Sequence, residues 1–279
     1  MKISESCYEC LRNLIYQAAE LATDDKAIRE GVLQEGLKTL DSDFSFDEVS
    51  IVVAGKIHDV IKQMTGNPDP YYRMKQKEME VASELYYEMK SKYSDGFKGL
   101  LKLAVLGNTL DFFRPFDVIK KEMRQEVHFA IDNSAQFEKK LKDANKILYL
   151  ADNAGEIFFD LPLVKWMRRG AAVTYVVKAA PVQNDITLEE VKRSGLADEV
   201  GDIITTGTAT PGIILSLASE HFRREFELTD LIFAKGMGYY ESLSELPAMG
   251  RVFHCLKAKC QPVADSLGVP INSFVAMLR

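Results

Sequence analysis

The stretch KILYLADNAGEIFFD, from Lys146 to Asp160, decides the fold. Residues 147–151 form a short apolar run that is typical of a buried strand, and the turn-forming residues 152–155 end it before a helical pattern begins. This order predicts one strand–turn–helix unit of an open α/β sheet. Ligands bind such sheets in the crevice beyond the carboxyl ends of the strands, where Asp152 and Asn153 fall.

A second unit of the same kind follows. The apolar, β-branched run AVTYVVK, residues 172–178, leads into the turn APVQNDIT, which carries Asp185. If the two strands are parallel neighbours, Asp152, Asn153 and Asp185 meet at one edge of the sheet. Two carboxylates and an amide carbonyl are hard oxygen ligands that suit Mg²⁺ or Mn²⁺. The alternative is that both aspartates only cap helices or shape turns.

Four motifs in this order resemble a known family, the metal-dependent damage-control phosphatases, long described as a domain of unknown function. The motifs are ADNAGE, the ND-I-T turn, GN-x-x-DF from Gly107 and KG-x-x-x-YE from Lys235. The N-terminal C-x-x-C and the late Lys259–Cys260 pair are similar to the prokaryotic branch. The resemblance implies hydrolysis of small phosphorylated metabolites with a divalent ion, namely Mn²⁺, Mg²⁺, Co²⁺ or Ni²⁺.

Composition limits the other classes. The 279 residues are 47% hydrophobic and 27% charged, as in ordinary globular proteins, and the net charge of −6 with a pI near 5.4 offers no basic field for nucleic acid. The sequence has no apolar run of membrane-spanning length, and its start lacks the apolar core of a signal peptide. We therefore expect a cytoplasmic protein that binds neither nucleic acid nor membranes.

The chain predicts two regions that pack as one unit. Residues 1–145 have helical periodicity almost throughout and are interpreted as a helical cap, whereas residues 146–279 alternate strands and helices. The resulting prediction is a Rossmann-like α/β/α sandwich with a mostly parallel sheet. The predicted strands are 148–151, 173–178, 202–205, 231–234, 252–256 and 273–278, and 262–267 is predicted to be a short helix.

Three candidate substrate-binding residues lie in the helical region. By the resemblance, Lys75 in the Asp-Pro-Tyr…Lys pattern approaches the substrate, and Asn108 and Asp111 belong to the rim of the active site. Each also has an ordinary structural interpretation. Lys75 suits a solvated helix surface, and Asn108 and Asp111 suit the end of one helix and the cap of the next.

Two loops after later strands suit phosphate. The segment TTGTATPG places Thr206, Gly207 and Thr208 before Pro211 and an apolar run that is predicted to be helical, so that a helix N-terminus would face an anion. Lys235 and Gly236 follow the apolar strand LIFA, where an ammonium could contact a phosphoryl oxygen. The family usually has Asn where this chain has Tyr239, which leaves the role of Tyr239 open.

These residues define a mechanistic hypothesis. A metal ion held by Asp152, Asn153 and Asp185 would polarise a phosphate oxygen and position water, while Lys235 and the Thr206–Thr208 backbone would offset the phosphoryl charge. Glu156 would orient the water or a substrate hydroxyl, or else stabilise its helix N-terminus. Gly155 in the preceding turn would let the backbone approach the phosphate.

The cysteines define a second candidate site. Cys7 and Cys10 lie at i and i+3 on a predicted helix, and Cys260 is the natural third partner, so the thiols suit Zn²⁺ or another soft metal, or a redox bridge. Simple burial of these thiols is the alternative.

Two other functions compete with a phosphatase. One is a Rossmann-like methyltransferase or nucleotide-binding protein, although G-x-G-x-x-G is missing from the sequence. The other is a non-enzymatic module in which the cysteines sense metal or redox state.

Overall fold

The fold is taken from a computed structural model that describes residues 1–110, 114 and 116–279. The helices are α1 Ser6–Ala22, α2 Lys26–Asp43, α3 Ser50–Thr65, α4 Tyr72–Met89, α5 Phe97–Gly107, α6 Phe116–Met123, α7 Ser134–Leu141, α8 Ile157–Met167, α9 Leu188–Arg193, α10 Ala197–Val200, α11 Glu220–Leu228, α12 Gly236–Leu243 and α13 Gln261–Leu267. The strands are β1 Phe129–Asp132, β2 Lys146–Leu150, β3 Ala172–Val177, β4 Ile203–Thr205, β5 Leu231–Lys235, β6 Val252–Lys257 and β7 Phe274–Leu278. Short 3₁₀ turns occupy Lys90–Lys92 and Ala154–Glu156.

The strands of the described chain form one sheet in the order β1-β7-β6-β5-β2-β3-β4. All neighbouring pairs are parallel except β6 and β7. The order β4-β3-β2-β5-β6 corresponds to the strand order 3-2-1-4-5 of a Rossmann fold, and the direction of the strand order reverses between β2 and β5. Ligands bind at such a switch point, beyond the carboxyl ends of the two strands. The predicted α/β fold with a mostly parallel sheet is confirmed.

Apolar side chains on the two faces of the sheet explain its layers. On one face, Tyr149 stacks on Tyr175 and on Phe233, with ring centroids 5.4 and 4.7 Å apart, and α5, α7 and α8 cover them. On the other face, Leu148 and Leu150 pack with residues of α11 and α12. The helices α1, α2 and α3 build a separate apolar cluster. No helix in the described ranges is long and apolar enough to cross a bilayer.

Two predictions of local structure were wrong. The region predicted to be helical contains β1, a four-residue strand at the edge of the sheet whose residues alternate between half-buried and exposed, so that only the short apolar run FAI marks it. The apolar segment after Pro211 does not form the predicted helix, and the next helix begins only at Glu220. Gly212 has φ +58° and lies against the backbone of Gly238, which bends the chain away from helical geometry.

Candidate active site

The three predicted metal ligands converge. Asn153 and Asp185 pair as a backbone bridge between the turns that follow β2 and β3, and the Ile186 N–H donates to the Asp152 carbonyl at 2.8 Å. Both turns thus hold their polar side chains at the same edge. Asp185 and Asn153 are buried, whereas Asp152 is half-buried and accessible from solvent.

The start of α12 closes the site from the other side of the switch point. Gly236 has φ +76°, and a Cβ there would overlap the carboxylate of Asp152. Only glycine therefore allows the β5–α12 turn to lie against Asp152. The neighbour that requires glycine at this position is therefore a side chain of the site.

Asn108 joins the site from the end of α5. Its Nδ2 donates to Glu156 Oε1 and Oε2 at 2.7 and 2.9 Å and lies 3.3 Å from Asp152 Oδ2. Its Oδ1 accepts the backbone N–H of Lys257 at 3.1 Å, which fixes the orientation of the amide. Asp111, the other predicted rim residue, lies outside the described residues.

Lys235 differs from its prediction. Its ammonium is completely buried and donates to Glu156 Oε2 at 2.8 Å, Asp160 Oδ1 at 2.5 Å and the Ala104 carbonyl at 2.7 Å. These three acceptors use its three N–H bonds, so the ammonium has none left for a phosphoryl oxygen in this structure. Lys235 instead stabilises the carboxylate of Glu156, which in turn binds the amides of Asn108 and Asn153.

Lys178 is a site residue that the sequence interpretation missed. It follows β3 directly and is buried, with Nζ 3.4 Å from Asp185 Oδ2 and 3.2 Å from the Tyr239 hydroxyl. It also donates to the Gly212 carbonyl, and it lies 4.3 Å from the centroid of the Tyr239 ring. Tyr239 thus has a defined position as the partner of the lysine beside Asp185. A lysine at the carboxyl end of a predicted strand was the available signal.

Lys259 is the second missed residue. It is half-buried, its Nζ lies 3.3 Å from the Leu110 carbonyl, and its backbone N–H contacts Met237 Sδ at 3.2 Å. Burial raises the pKa of Asp152 and Glu78, and the positive charge of Lys259 opposes that rise in both. Among the described residues, its ammonium has no other hydrogen-bond partner. It is therefore better placed than Lys235 to contact an anion.

Burial and like charge dominate the electrostatics of the carboxylates. Burial, together with the negative charges of Glu156 and Asp185, holds the pKa of Asp152 well above its usual range. Burial also raises the pKa of Asp185 to about 6 against the opposing charge of Lys178. Burial opposes ionisation of Glu156 as well, but Lys235 outweighs it and lowers the pKa of Glu156. A cation between Asp152 and Asp185 would relieve their repulsion.

The Thr206–Thr208 loop differs from the predicted phosphate cradle. The Thr206 N–H donates to the Val177 carbonyl at 2.9 Å, and the Thr208 N–H contacts Thr206 Oγ1 at 3.3 Å. The helix predicted after Pro211 is not formed, and Ser219, the N-cap of α11, lies against Gly207 and donates its backbone N–H to the Thr206 carbonyl at 3.0 Å. Gly207, with φ +80°, is exposed. Gly207 is therefore accessible to solvent, whereas the N–H groups of Thr206 and Thr208 already donate to acceptors within the protein.

Lys75 also differs from its prediction. Its ammonium is buried and pairs with Asp69 and Glu190 at 2.8 Å each, so it is neither a solvated surface lysine nor free for substrate. Glu190 Oε2 accepts the N–H of Thr187 at 3.0 Å in the capping box of α9. Lys75 therefore ties α4 to the helix that follows the Asp185 turn.

The contact with Glu78 requires a glycine at position 155, in the turn after β2. The Gly155 N–H donates to Glu78 Oε1 at 3.1 Å, and Asn184 Nδ2 donates to Glu78 Oε2 at 2.9 Å. A Cβ on Gly155 would lie 2.9 Å from Glu78 Cγ, so glycine is required for the close approach of α4. Burial raises the pKa of Glu78 to about 8. This one carboxylate holds both ligand-bearing turns, and the Gly155 N–H is directed to it.

The cysteines come together without a ready-made metal centre. Cys7, Cys10 and Cys260 are free thiols that line one cavity. In the part of the chain that the structure describes, no group of three His, Cys, Asp or Glu side chains is arranged to hold a metal ion. The three thiols therefore line the same cavity. Their role in metal binding or redox chemistry stays a prediction.

The fold and the site define a class: a doubly wound α/β protein with an acidic, oxygen-rich site at the switch point of its sheet. The family model for the damage-control phosphatase ARMT1-like domain matches residues 3–275. The chain belongs to this family.

Relatives of similar length support the assignment. A damage-control phosphatase of Pyrococcus horikoshii is 35% identical over 99% of this chain and 98% of its own, and one of Archaeoglobus fulgidus is 33% identical over 99% of both. The crystal structure of a DUF89 family protein from P. horikoshii superposes with a TM-score of 0.90 at 34% identity, covering 100% of this chain and 99% of that one. The predicted family is confirmed, and phosphatase activity is supported by the names of these relatives.

Proposed function

We propose that this protein is a divalent-metal-dependent phosphatase that hydrolyses small phosphorylated metabolites, phosphomonoesters such as sugar phosphates or damaged metabolites. One observation carries the proposal: Asp152, Asn153 and Asp185 meet at the switch point of the sheet, with the charge of Lys259 beside them. Membership of a damage-control phosphatase family and the names of two relatives point to the same chemistry.

The residues present fit a hard divalent ion. Asp152 and Asp185 supply carboxylate oxygens, and each carboxylate is penalised by burial until a cation compensates it. Asn153 Nδ2 donates to Glu156 Oε1 at 2.7 Å, which leaves the carbonyl oxygen of the amide as the third ligand. Three oxygen donors suit Mg²⁺ or Mn²⁺, and Co²⁺ or Ni²⁺ would also bind. When bound, the ion supplies Lewis-acid polarisation of the phosphate and lowers the pKa of water.

The surrounding residues orient the site. Lys235 keeps Glu156 ionised, and Glu156 fixes the amides of Asn108 and Asn153 through charge-assisted hydrogen bonds. Lys178 holds Asp185 in place. Lys259, with two N–H bonds unclaimed among the described residues, contacts the phosphoryl oxygens and offsets their charge.

The proposed reaction is direct hydrolysis. The oxygen of water forms a bond to phosphorus as the bond from phosphorus to the leaving oxygen breaks, and one proton of the water ends on the leaving alcohol. The products are the alcohol and inorganic phosphate. Asp152 acts as a ligand in this scheme, so water is the nucleophile.

The test begins with chelator-treated protein and a panel of phosphomonoesters, to which Mg²⁺, Mn²⁺, Co²⁺, Ni²⁺ or Zn²⁺ is added singly. We expect phosphate release to return with a divalent ion and to fall by about 10³-fold in Asp152→Asn and Asp185→Asn, since each removes a charged ligand. Asp198→Asn, at an exposed position of α10, is the matched control. The proposal would be overturned by full activity in Asp152→Asn, or by a rate of phosphate release that is the same with and without a divalent ion.

A further inference from the structure

A cavity of about 380 Å³ lies between α1, α3 and the start of α12. Its walls are mostly apolar or sulfur-bearing, and its lining includes Cys7, Cys10, Leu14, Met237, Glu241 and Cys260. The cavity is large enough for an organic group of metabolite size.

The cavity adjoins the proposed catalytic edge. Its wall residue Met237 follows Gly236, which lies against Asp152, and the Sδ of Met237 contacts the backbone of Lys259. Gln183, in the turn that leads to Asp185, also lines it and has the strained φ of +46°. Three segments therefore run from the phosphate end of the site into the walls of the cavity.

Glu241 lies further along α12. It follows Gly236 by five residues on α12, so that at ~1.5 Å per residue it lies about 7.5 Å further along the helix axis. One of its carboxylate oxygens accepts the Ser50 hydroxyl. The residue is partly exposed and lines the cavity, and its backbone carbonyl accepts a hydrogen bond from the N-terminal ammonium of Met1. Its other carboxylate oxygen has no hydrogen-bond partner among the described residues, so it can accept a hydrogen bond from a ligand.

Resting on the proposed function, we propose that this cavity binds the leaving group of the phosphomonoester and selects an apolar body that ends in an ammonium or amide N–H donor to Glu241. The distance along α12 sets the separation between the phosphate and the donor. A carboxylate in a mostly apolar cavity favours a ligand whose hydrogen-bond donor reaches it, because the charge has few other polar partners there.

The same walls disfavour a polyhydroxylated leaving group. Each sugar hydroxyl would give up water for a wall of thiol, thioether and alkyl groups, which are weak hydrogen-bond partners. Sugar phosphates should therefore be poorer substrates than aminoalkyl phosphates of matched length.

The test compares 2-aminoethyl, 4-aminobutyl and 6-aminohexyl phosphate with ethyl, butyl and hexyl phosphate and with glucose 6-phosphate. We expect the amino group to raise kcat/KM by about tenfold at the length that reaches Glu241, the gain of one charge-assisted hydrogen bond, and to raise it little at the shortest length. In Glu241→Gln, the amino and alkyl esters of that length should have equal kcat/KM. Glu227→Gln, at an exposed position of α11, should retain it. Thermal unfolding verifies that each variant is folded.

Binding separates this inference from the proposed function. If no ester is hydrolysed with any metal, the phosphatase proposal fails, and calorimetric titration of the same intact esters then tests the cavity alone. Tighter binding of the amino ester than of its alkyl match, lost in Glu241→Gln, supports the cavity. Equal binding of the two esters, a preference for glucose 6-phosphate, or an amino preference that survives in Glu241→Gln would overturn it.

Discussion

Two buried lysines, Lys235 and Lys75, each form ion pairs with two carboxylates, but the two clusters differ in what they contact. Lys235, at the end of β5, lies between Glu156 and Asp160, and Lys75, in the first turns of α4, lies between Asp69 and Glu190. Both ammonium groups are excluded from solvent. Each ammonium pairs with two carboxylates and reduces the cost of ionising them in a buried position.

The difference lies in what each carboxylate contacts next. Glu156 accepts from the amides of Asn108 and Asn153, which border the candidate metal ligands. Glu190 accepts from the backbone of Thr187 and closes a helix cap. On the proposed function, the first cluster contributes both to stability and to catalysis, whereas the second mainly connects two elements of the fold. Four experiments measure that contrast.

Replacement of Lys235 should have the largest effect. Lys235→Met leaves two buried carboxylates without a counter-charge, so we expect the free energy of unfolding to fall by about 3–5 kcal/mol. Phosphatase activity should be lost as well, because Glu156 would no longer hold the two amides. Urea unfolding and phosphate release measure the two effects. Lys165→Met, which breaks an exposed ion pair with Glu199, should cost less than about 1 kcal/mol and keep activity.

Replacement of Lys75 should cost less. Asp69 is 15% exposed, so water can partly solvate the carboxylate that Lys75→Met leaves unpaired, and we expect a loss of about 2–3 kcal/mol. At a temperature where the variant is folded, kcat should stay within about threefold of the wild type, since the cluster touches no proposed ligand directly. A kcat loss as large as that of Lys235→Met would remove the distinction between the clusters.

The sequence could predict which edge of the sheet carries the candidate ligands. It could not predict which groups the lysine ammonium would contact. Asp152 and Asp185 follow strands marked by local apolar runs, so their meeting is a consequence of topology. The orientation of Lys235 depends on Asp160 and on the Ala104 carbonyl, which come from two other segments. A partial signal was available, because Glu156 and Asp160 are four residues apart and share one face of a helix.

The failed helix after Pro211 has a similar cause. Pro211 and the apolar run behind it satisfy the local rules for a helix start. The observed bend is set by the contact of Gly212 with Gly238, which is a tertiary effect. The edge strand β1 was missed for the opposite reason, because its alternating exposure leaves only a weak local pattern.

Glu156→Gln should separate chemistry from stability within the first cluster. Glutamine keeps the size of the side chain but loses the charge, so Asn108 and Asn153 would be held by weaker hydrogen bonds. We expect kcat to fall by about 10–100-fold, with a smaller change in unfolding free energy because Lys235 retains Asp160. Glu190→Gln is the matched variant in the second cluster and should leave kcat nearly unchanged. Equal losses in both variants would contradict the assignment.

The smallest effect is a difference in pH dependence. Burial raises the pKa of Asp160 to about 6, so its ionisation opposes folding and wild-type stability relative to Asp160→Asn should fall as the pH rises from 4 to 6. Although burial opposes ionisation of Glu190, Lys75 and Thr187 outweigh it and lower its pKa. Its contribution is therefore present above the unfolded value of about 4.3 and is lost as the pH falls through the folded value. Urea unfolding between pH 3.5 and 7 should give slopes of opposite sign for the two differences, with a change of about 2–3 kcal/mol for Asp160 between pH 4 and 6. Parallel slopes would mean that the two lysines hold their carboxylates in the same way.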